Sequence, residues 1–341
     1  MLKEIEYNGG GTGGLNLSNK VFEDGIDLRG INNNHLPAII LKRAVLEQCH
    51  LEEVRLTNAQ LQGAFLEGAH LEGASLRGGY AENAEFISAH LQKACLTGAH
   101  LEGAQFYDAH LEGSELINAF LDRTRLSGAY LQGAHLLGAK FSASTHMESI
   151  NWGDYKIGEE KDGEKKGQKH KLKWAEDIYR SLKLWYTNAG MYDIAGQFFY
   201  REMEARRKIV QDQIVQQLRV NKASGLKHII LKLKGTTFYL LWAWVLKLLC
   251  GYGEKPKRVV IFAASFIFSL ALAYYFWGSF VDAKSFADTL YYSVVSFTAL
   301  GYGQWAPQPT DWAQGMGAVE AVIGVFSMAL FLVTFTRKMT R

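Results

Sequence analysis

The residues best suited to chemistry in this chain are Ser293-Val-Val-Ser-Phe-Thr-Ala-Leu-Gly-Tyr-Gly303, a hydroxyl-rich amphipathic stretch that runs directly into Gly301-Tyr302-Gly303. The chemistry there would belong to the backbone. Successive carbonyls that face one way can replace the water shell of a cation. Aligning them needs backbone angles that residues with a Cβ avoid, which is the physical use of the two glycines. Alone, Gly-Tyr-Gly is a weak signal, because the chain carries a second copy at Gly251-Tyr-Gly253. No hydroxyl-rich helix precedes that copy and a basic segment follows it, so it reads as a loop at the end of a helix.

Two apolar spans flank the first copy. Val259 to Trp277 contains no charge, and Gly315 to Phe335 is broken only by Glu320. Each is long enough to cross a hydrocarbon core of about 30 Å. Lys255, Lys257 and Arg258 precede the first span, and Arg337, Lys338 and Arg341 follow the second. The segment between carries Asp282, Asp288 and Asp311 against Lys284. Basic flanks mark the cytoplasmic side, so both termini are expected in the cytoplasm and the intervening loop outside. The N-terminus shows no signal-peptide pattern, in keeping with a large cytoplasmic portion. The spacing predicts a short helix from near Ser285 to about Thr298, followed by a non-helical loop at membrane depth. Such a loop persists only where it lines a water-filled path or is buried in protein.

Span, re-entrant helix, Gly-Tyr-Gly and second span resemble the two-transmembrane pore module of potassium channels. The resemblance implies a homotetramer in which each chain supplies a quarter of the pathway. It implies a selectivity filter at Thr298, Ala299, Leu300, Gly301, Tyr302 and Gly303, with K+ ions on the carbonyls and no other cofactor. Glu320 and Gly324 match a Glu-x-x-x-Gly pattern common in bacterial channels of this type, and imply a support behind the filter and a gating hinge in the inner helix. Against the family's TTVGYGD this chain reads Thr298-Ala-Leu-Gly-Tyr-Gly-Gln304. Ala299 lacks the hydroxyl that lines the innermost ion site, and Gln304 removes an acidic residue above the filter. Cation conduction follows from the pattern, potassium over sodium is the expected preference, and a non-selective cation pore is the alternative.

The other half of the chain repeats. From Leu46 to Phe141 a large apolar residue recurs every five positions, as at Leu51, Leu61, Leu71, Phe86, Leu101, Leu121 and Leu136. Two residues before each usually sits a small one, among them Ala59, Ala69, Ala84, Ala99, Ala119 and Ala134. The phase continues weakly back through Leu41, Leu36 and Ile31. A period of five fits neither a helix nor a free strand. It resembles the pentapeptide-repeat family, whose fold is a right-handed quadrilateral β-helix with four repeats per coil. Cys49 falls on an inward position, Cys95 points outward and Cys250 has no evident partner, a pattern read as a reducing compartment without disulfides.

His50, His70, His90 and His110 fall one per coil, with Tyr130 next, and Glu52, Glu72 and Glu112 run alongside. Neighbouring coils lie about 4.8 Å apart, so the rings should touch. Histidine titrates near neutrality and binds metals, which makes a pH or metal sensor conceivable. The reading adopted from sequence is the plainer one, a favourable surface residue repeated in a ladder, and it assigns no metal ligand.

Between the ends, 154–173 is charged and poor in apolar residues, and reads as a solvated linker or a mobile loop. Trp174 to about Arg219 resembles a tetratricopeptide-like helical hairpin. Leu226 to Leu249 mixes basic, apolar and aromatic residues, and reads as an amphipathic helix at the cytoplasmic interface. The repeats are mildly acidic and Ser144 to Arg258 strongly basic, although the whole chain of 341 residues carries only +3. The basic excess suits the anionic inner leaflet.

The expected organisation is a multidomain membrane protein: an N-terminal segment (1–30), a pentapeptide-repeat β-solenoid (31–143), a charged linker (144–172), a helical hairpin (173–222), an interfacial amphipathic helix (223–257) and a two-transmembrane pore domain (258–341). No voltage-sensing arginine helix, nucleotide-binding glycine loop or acidic calcium loop is evident. No nucleophile–base pair suggests an enzyme. The expected partners are membrane lipids, further copies of the chain and an unidentified cytoplasmic partner or ligand, without nucleic acid. The rival reading is a membrane-tethered interaction scaffold with a vestigial pore. Some pentapeptide-repeat proteins mimic DNA, but that use needs a strongly acidic surface.

Overall fold

The computed structural model describes residues 39–165, 168–220, 240–277, 280, 285–300 and 306–339. It divides into two units. The first runs to Asn188 and includes Glu204–Ile209; the second holds Ala189–Met203 and the chain from Val210 onward.

In the first unit the period of five becomes a coil. Leu46, Leu51 and Leu56, with Cys49 and Val54 between them, are at most 2 % exposed. Between inward residues the chain turns: the Leu41 carbonyl accepts the Ala44 N–H at 3.1 Å. The third residue of that turn, Arg43, is left-handed at φ 55. The same turn position later holds Asn58, Gly63, Gly68, Gly73, Gly78 and Asn83. Glycine and asparagine adopt this conformation at least cost, which explains their recurrence. Each turn leads to one parallel bridge, and the bridges Ile40↔Gln60, Val45↔Phe65, His50↔His70 and Arg55↔Ser75 make four per coil, each reaching 20 residues on. Leu41 N–H donates to the Gln60 carbonyl at 2.7 Å, and Gln60 N–H donates to the Ile39 carbonyl at 2.8 Å. A turn follows every bridge, so among the described residues the bridges stay isolated.

The interior and exterior both stack. Phe86 and Phe106 lie 4.7 Å apart inside. Outside, the rings of His50, His70, His90 and His110 follow at 4.8, 4.8 and 5.2 Å, with Tyr130 at 4.6 Å. On the opposite edge Tyr80, His100 and Phe120 stack, and Lys140 Nζ lies 4.0 Å over Phe120.

The coil does not stop near residue 143. Arg125 bridges to His146 and Tyr130 to Asn151, one residue later than the pattern requires. One inserted residue after Phe141 shifts the phase, so Thr145, Met147, Ile150 and Trp152 become the inward residues. The charged stretch read as a solvated linker is corrected in the same way. It contains helix α1 (Gly158–Gly163), with Glu159 and Glu160 buried. Glu159 Oε1 accepts the N–H groups of Leu136 and Leu137 at 2.6 and 2.7 Å, groups left over at the last coil. A solenoid end must be covered in this way. Helix α2 (Lys171–Asn188) completes the cover: Trp185 Nε1 donates to the Ser142 carbonyl at 2.9 Å, and Tyr186 hydroxyl donates to the Met147 carbonyl at 2.9 Å.

Helix α3 (Tyr192–Val220) follows Gly190, which is left-handed at φ 76. In the second unit, α4 (Leu240–Cys250) ends in a turn in which Gly251, Tyr252 and Gly253 all have positive φ. This second Gly-Tyr-Gly is a helix end, as its surroundings suggest. Of the interfacial segment, 221–239 lies outside the described residues; within α4, Leu241, Trp242, Trp244 and Leu248 are exposed. The unit is completed by α5 (Pro256–Trp277), α6 (Phe286–Thr298) and α7 (Asp311–Met339).

Candidate functional site

Helices α5 and α7 contain apolar stretches of 22 and 25 residues, long enough to cross a membrane. Most of their side chains stay exposed in the single chain, including Ile261, Phe268, Phe276, Val322, Leu332 and Val333. A soluble core helix would bury them; lipid or further copies of the chain can cover them here.

Between these helices lies α6, with the bounds that the hydroxyl-rich pattern predicts. Ser285 caps it: its hydroxyl accepts the Asp288 N–H, and the Asp288 carboxylate accepts the Ser285 N–H at 2.8 Å. The helix buries Thr289, Tyr292, Ser293, Ser296 and Phe297. Tyr292 hydroxyl donates to the Ala313 carbonyl at 3.2 Å. At the end of α5, Trp312 Nε1 donates to the Trp277 carbonyl at 2.8 Å. Tyr274, Tyr292 and Ala313 form a buried cluster with Leu270, Phe280 and Met316 around it.

Glu320 sits inside this arrangement, fully buried. It accepts the Tyr274 hydroxyl of α5 at 3.0 Å and the Ser293 hydroxyl of α6. Ser293 also lies 3.0 Å from the Ile267 carbonyl. One carboxylate on α7 therefore holds both other helices, and a buried carboxylate with two donors avoids the cost of an unpaired one. One helical turn on, Gly324 lies against the last turn of α6: a Cβ there would overlap the Phe297 carbonyl and stand 3.0 Å from Phe297 Cα. Sequence reading singled out Glu320 and Gly324 but missed their partners Tyr274, Ser293 and Phe297. The hydroxyl face of α6 was the available signal.

Helix α6 ends at Thr298, whose hydroxyl donates back to the Val294 carbonyl at 2.7 Å. Ala299 then turns left-handed, φ 53 and ψ 28, with its N–H on the Ser296 carbonyl at 3.1 Å. Leu300 follows, 81 % exposed in the single chain. Of the filter expected from sequence, Gly301, Tyr302 and Gly303 lie outside the described residues, as does Gln304.

The first unit holds a charged joint that the sequence did not suggest. Lys208 Nζ, from the α3 segment in this unit, donates to Glu160 at 2.6 Å and to Glu164 at 2.5 Å. Tyr179 hydroxyl donates to Glu160 Oε2 at 2.5 Å. Burial opposes the charge of Lys208, but the two carboxylates outweigh it and hold the ammonium above its ordinary range. Burial likewise opposes Glu164, and Lys208 and Lys156 hold it below the usual carboxylate range. Lys165 and Lys171, at 2.6 and 2.7 Å, hold Asp162 well below that range. Burial pushes Glu159 up despite its two backbone donors.

Comparison with known proteins gives two matches within the chain. Residues 258–341 match the family described as "Ion channel", and residues 39–78, 66–103 and 104–142 match "Pentapeptide repeats (8 copies)". Among curated proteins, none matches the chain. Among solved structures, the chain is similar to HetL, a pentapeptide repeat protein involved in heterocyst differentiation regulation from the cyanobacterium Nostoc sp., with 20 % identity over 44 % of this chain and 92 % of that one, TM-score 0.24. It is also similar to a pentapeptide repeat protein from the cyanobacterium Cyanothece, with 21 % identity over 45 % and 99 %, TM-score 0.23. At such TM-scores these likenesses carry no argument. The repeats imply a β-helix fold, and the two apolar helices fit a pore.

Proposed function

We propose that this chain, which carries an ion-channel domain behind pentapeptide repeats, assembles as a homotetramer and conducts potassium through a pathway on its four-fold axis. In this reading the carbonyls of Ala299, Leu300, Gly301, Tyr302 and Gly303, with Thr298 at their inner end, coordinate K+ ions, and no other cofactor takes part. The observation that carries the reading is the mounting of α6. A short capped helix ends in Thr298-Ala299-Leu300 immediately before Gly-Tyr-Gly, and Glu320 holds it to both spanning helices. Glu320 is the support behind the filter. Gly324 is the point where bending α7 would part it from the end of α6, and so couple an inner-helix hinge to the filter.

The wider reading follows the charges. Both termini and the repeats are cytoplasmic, with α4 at the inner interface and the solenoid a right-handed quadrilateral β-helix that assembles or regulates the pore. The absent hydroxyl at Ala299 favours one second reading, a non-selective cation pore. Potassium efflux from proteoliposomes tests the proposal. Wild-type protein should release trapped K+, and a Gly301→Ala/Gly303→Ala variant that still assembles should not. Equal efflux from both, or a monomer in detergent, would refute it in favour of a tethered scaffold.

A further inference from the structure

The solenoid surface carries two places where imidazole and carboxylate atoms converge, on opposite edges of the coil. His50, Glu52 and His70 bring three ligand atoms within 4.8 Å of one another, and Glu82, His100 and Glu102 do the same. Each set pairs neighbouring coils, because residues 20 apart face each other across a parallel bridge.

We propose that these two sets bind divalent transition-metal ions of the zinc class, one ion per set, each clipping one coil to the next. The distances within the sets suit such an ion. With bonds of about 2.1 Å, adjacent ligands are separated by roughly 3.0 Å in an octahedron and 3.4 Å in a tetrahedron. His50 Nδ1 lies 2.9 Å from Glu52 Oε1, and His100 Nδ1 lies 3.4 Å from Glu102 Oε1. The ligand from the next coil must close in by up to roughly 1.4 Å to reach a tetrahedral separation, a movement that rotation of the half-exposed His and Glu side chains supplies. Imidazole nitrogen with carboxylate oxygen selects zinc, nickel or cobalt over magnesium or calcium.

A second observation points the same way. In the second set, Glu82 Oε2 and Glu102 Oε2 are shielded from water and accept no hydrogen bond from the described residues, a feature that Glu72 and Glu112 share along the other ladder. Carboxylates facing each other across a ladder repel, and a shared cation would reverse that repulsion. Residue type alone does not single out these sets, since His70, Glu72 and His90 repeat the first one 20 residues on; among the described residues, the two sets are distinguished by three ligand atoms that all lie within 4.8 Å of one another.

The test is calorimetric titration of Zn2+ into chelator-treated, tag-free full-length protein in detergent, with Mg2+ as the control. Two Zn2+ per chain should bind, each imidazole presenting Nδ1 as its Nε2–H tautomer, and Mg2+ should not compete. His70→Gln and His100→Gln should each lower the stoichiometry by one, and the double variant should bind none. Circular dichroism verifies that each variant keeps the coil, and Glu102→Gln removes a ligand while leaving the ring stack intact. An absence of Zn2+ binding in wild type, or a stoichiometry unchanged by both substitutions, would overturn the proposal. The experiment is independent of conduction.

Discussion

The Glu320 carboxylate accepts the Tyr274 hydroxyl at 3.0 Å, joining the two membrane-length helices behind the short helix that leads to Gly-Tyr-Gly. Its other oxygen takes the Ser293 hydroxyl of that short helix. A single side chain thereby bonds to both other elements, so a fault there should be read out at the proposed filter.

Glu320→Ala removes the carboxylate that accepts both hydroxyls, leaving Ser293 the Ile267 carbonyl alone, and should cost about 1–3 kcal/mol in all. The expected result is a tetramer that dissociates more readily in detergent and conducts at most a tenth as well. Glu320→Gln keeps an acceptor and should stay near wild type in assembly. Size-exclusion chromatography with light scattering, run beside the flux assay, checks both.

Gly324→Ala places a methyl on the Phe297 carbonyl. Since neither backbone can yield cheaply, α7 must move off α6, at a cost of about 1–3 kcal/mol. Conduction should fall sharply while the solenoid's circular dichroism is unchanged. A variant that conducts normally would show that the contact between these helices is slack.

Glu159→Ala strands the Leu136 and Leu137 N–H groups at the covered end of the solenoid. A loss of about 2–4 kcal/mol is expected from two buried donors. It should appear as a lowered midpoint for loss of the β signal on heating. Glu159→Gln, which still presents an oxygen, should lose less.

The charged joint predicts a pH profile. Asp162 and Glu164 have depressed pKa values in the folded protein, so their contribution is present above the unfolded carboxylate values, about 4, and is lost as pH falls below them. Lys208 is raised, so its contribution holds below its unfolded value, about 10.4, and is lost as pH climbs through the folded one. Stability of the repeat unit should therefore fall below about 4 and above about 10.4, and the raised Glu159 adds a decline as pH climbs from the ordinary carboxylate value toward its folded one. Lys208→Met should flatten the alkaline limb.

Much of this architecture is legible in the residues themselves. The five-residue period announces the coil because every repeat must bury the same kind of side chain, and the Gly and Asn at the turn position follow from its left-handed backbone. The bounds of α6 follow from the Ser285–Asp288 cap and the glycines beyond Thr298. What could not be read depends on partners distant in sequence. A run such as Glu159-Glu160-Lys161-Asp162 reads as solvated until Leu136, Tyr179 and Lys208 are brought to it. The continuation of the coil past Phe141 was hidden by one inserted residue, because a shift of one turns every inward position outward. Glu320 stood out as a charge in an apolar span, yet its partners are ordinary hydroxyls with no pattern of their own.

The most direct measurement is the reversal potential of purified protein in planar bilayers, with potassium on one side and sodium on the other. The account predicts a reversal close to the potassium limit, carried by the carbonyl ladder without a threonine hydroxyl at Ala299. A reversal near zero would contradict potassium selectivity and mark a non-selective pore. No current under any pH or ionic condition would contradict the channel itself.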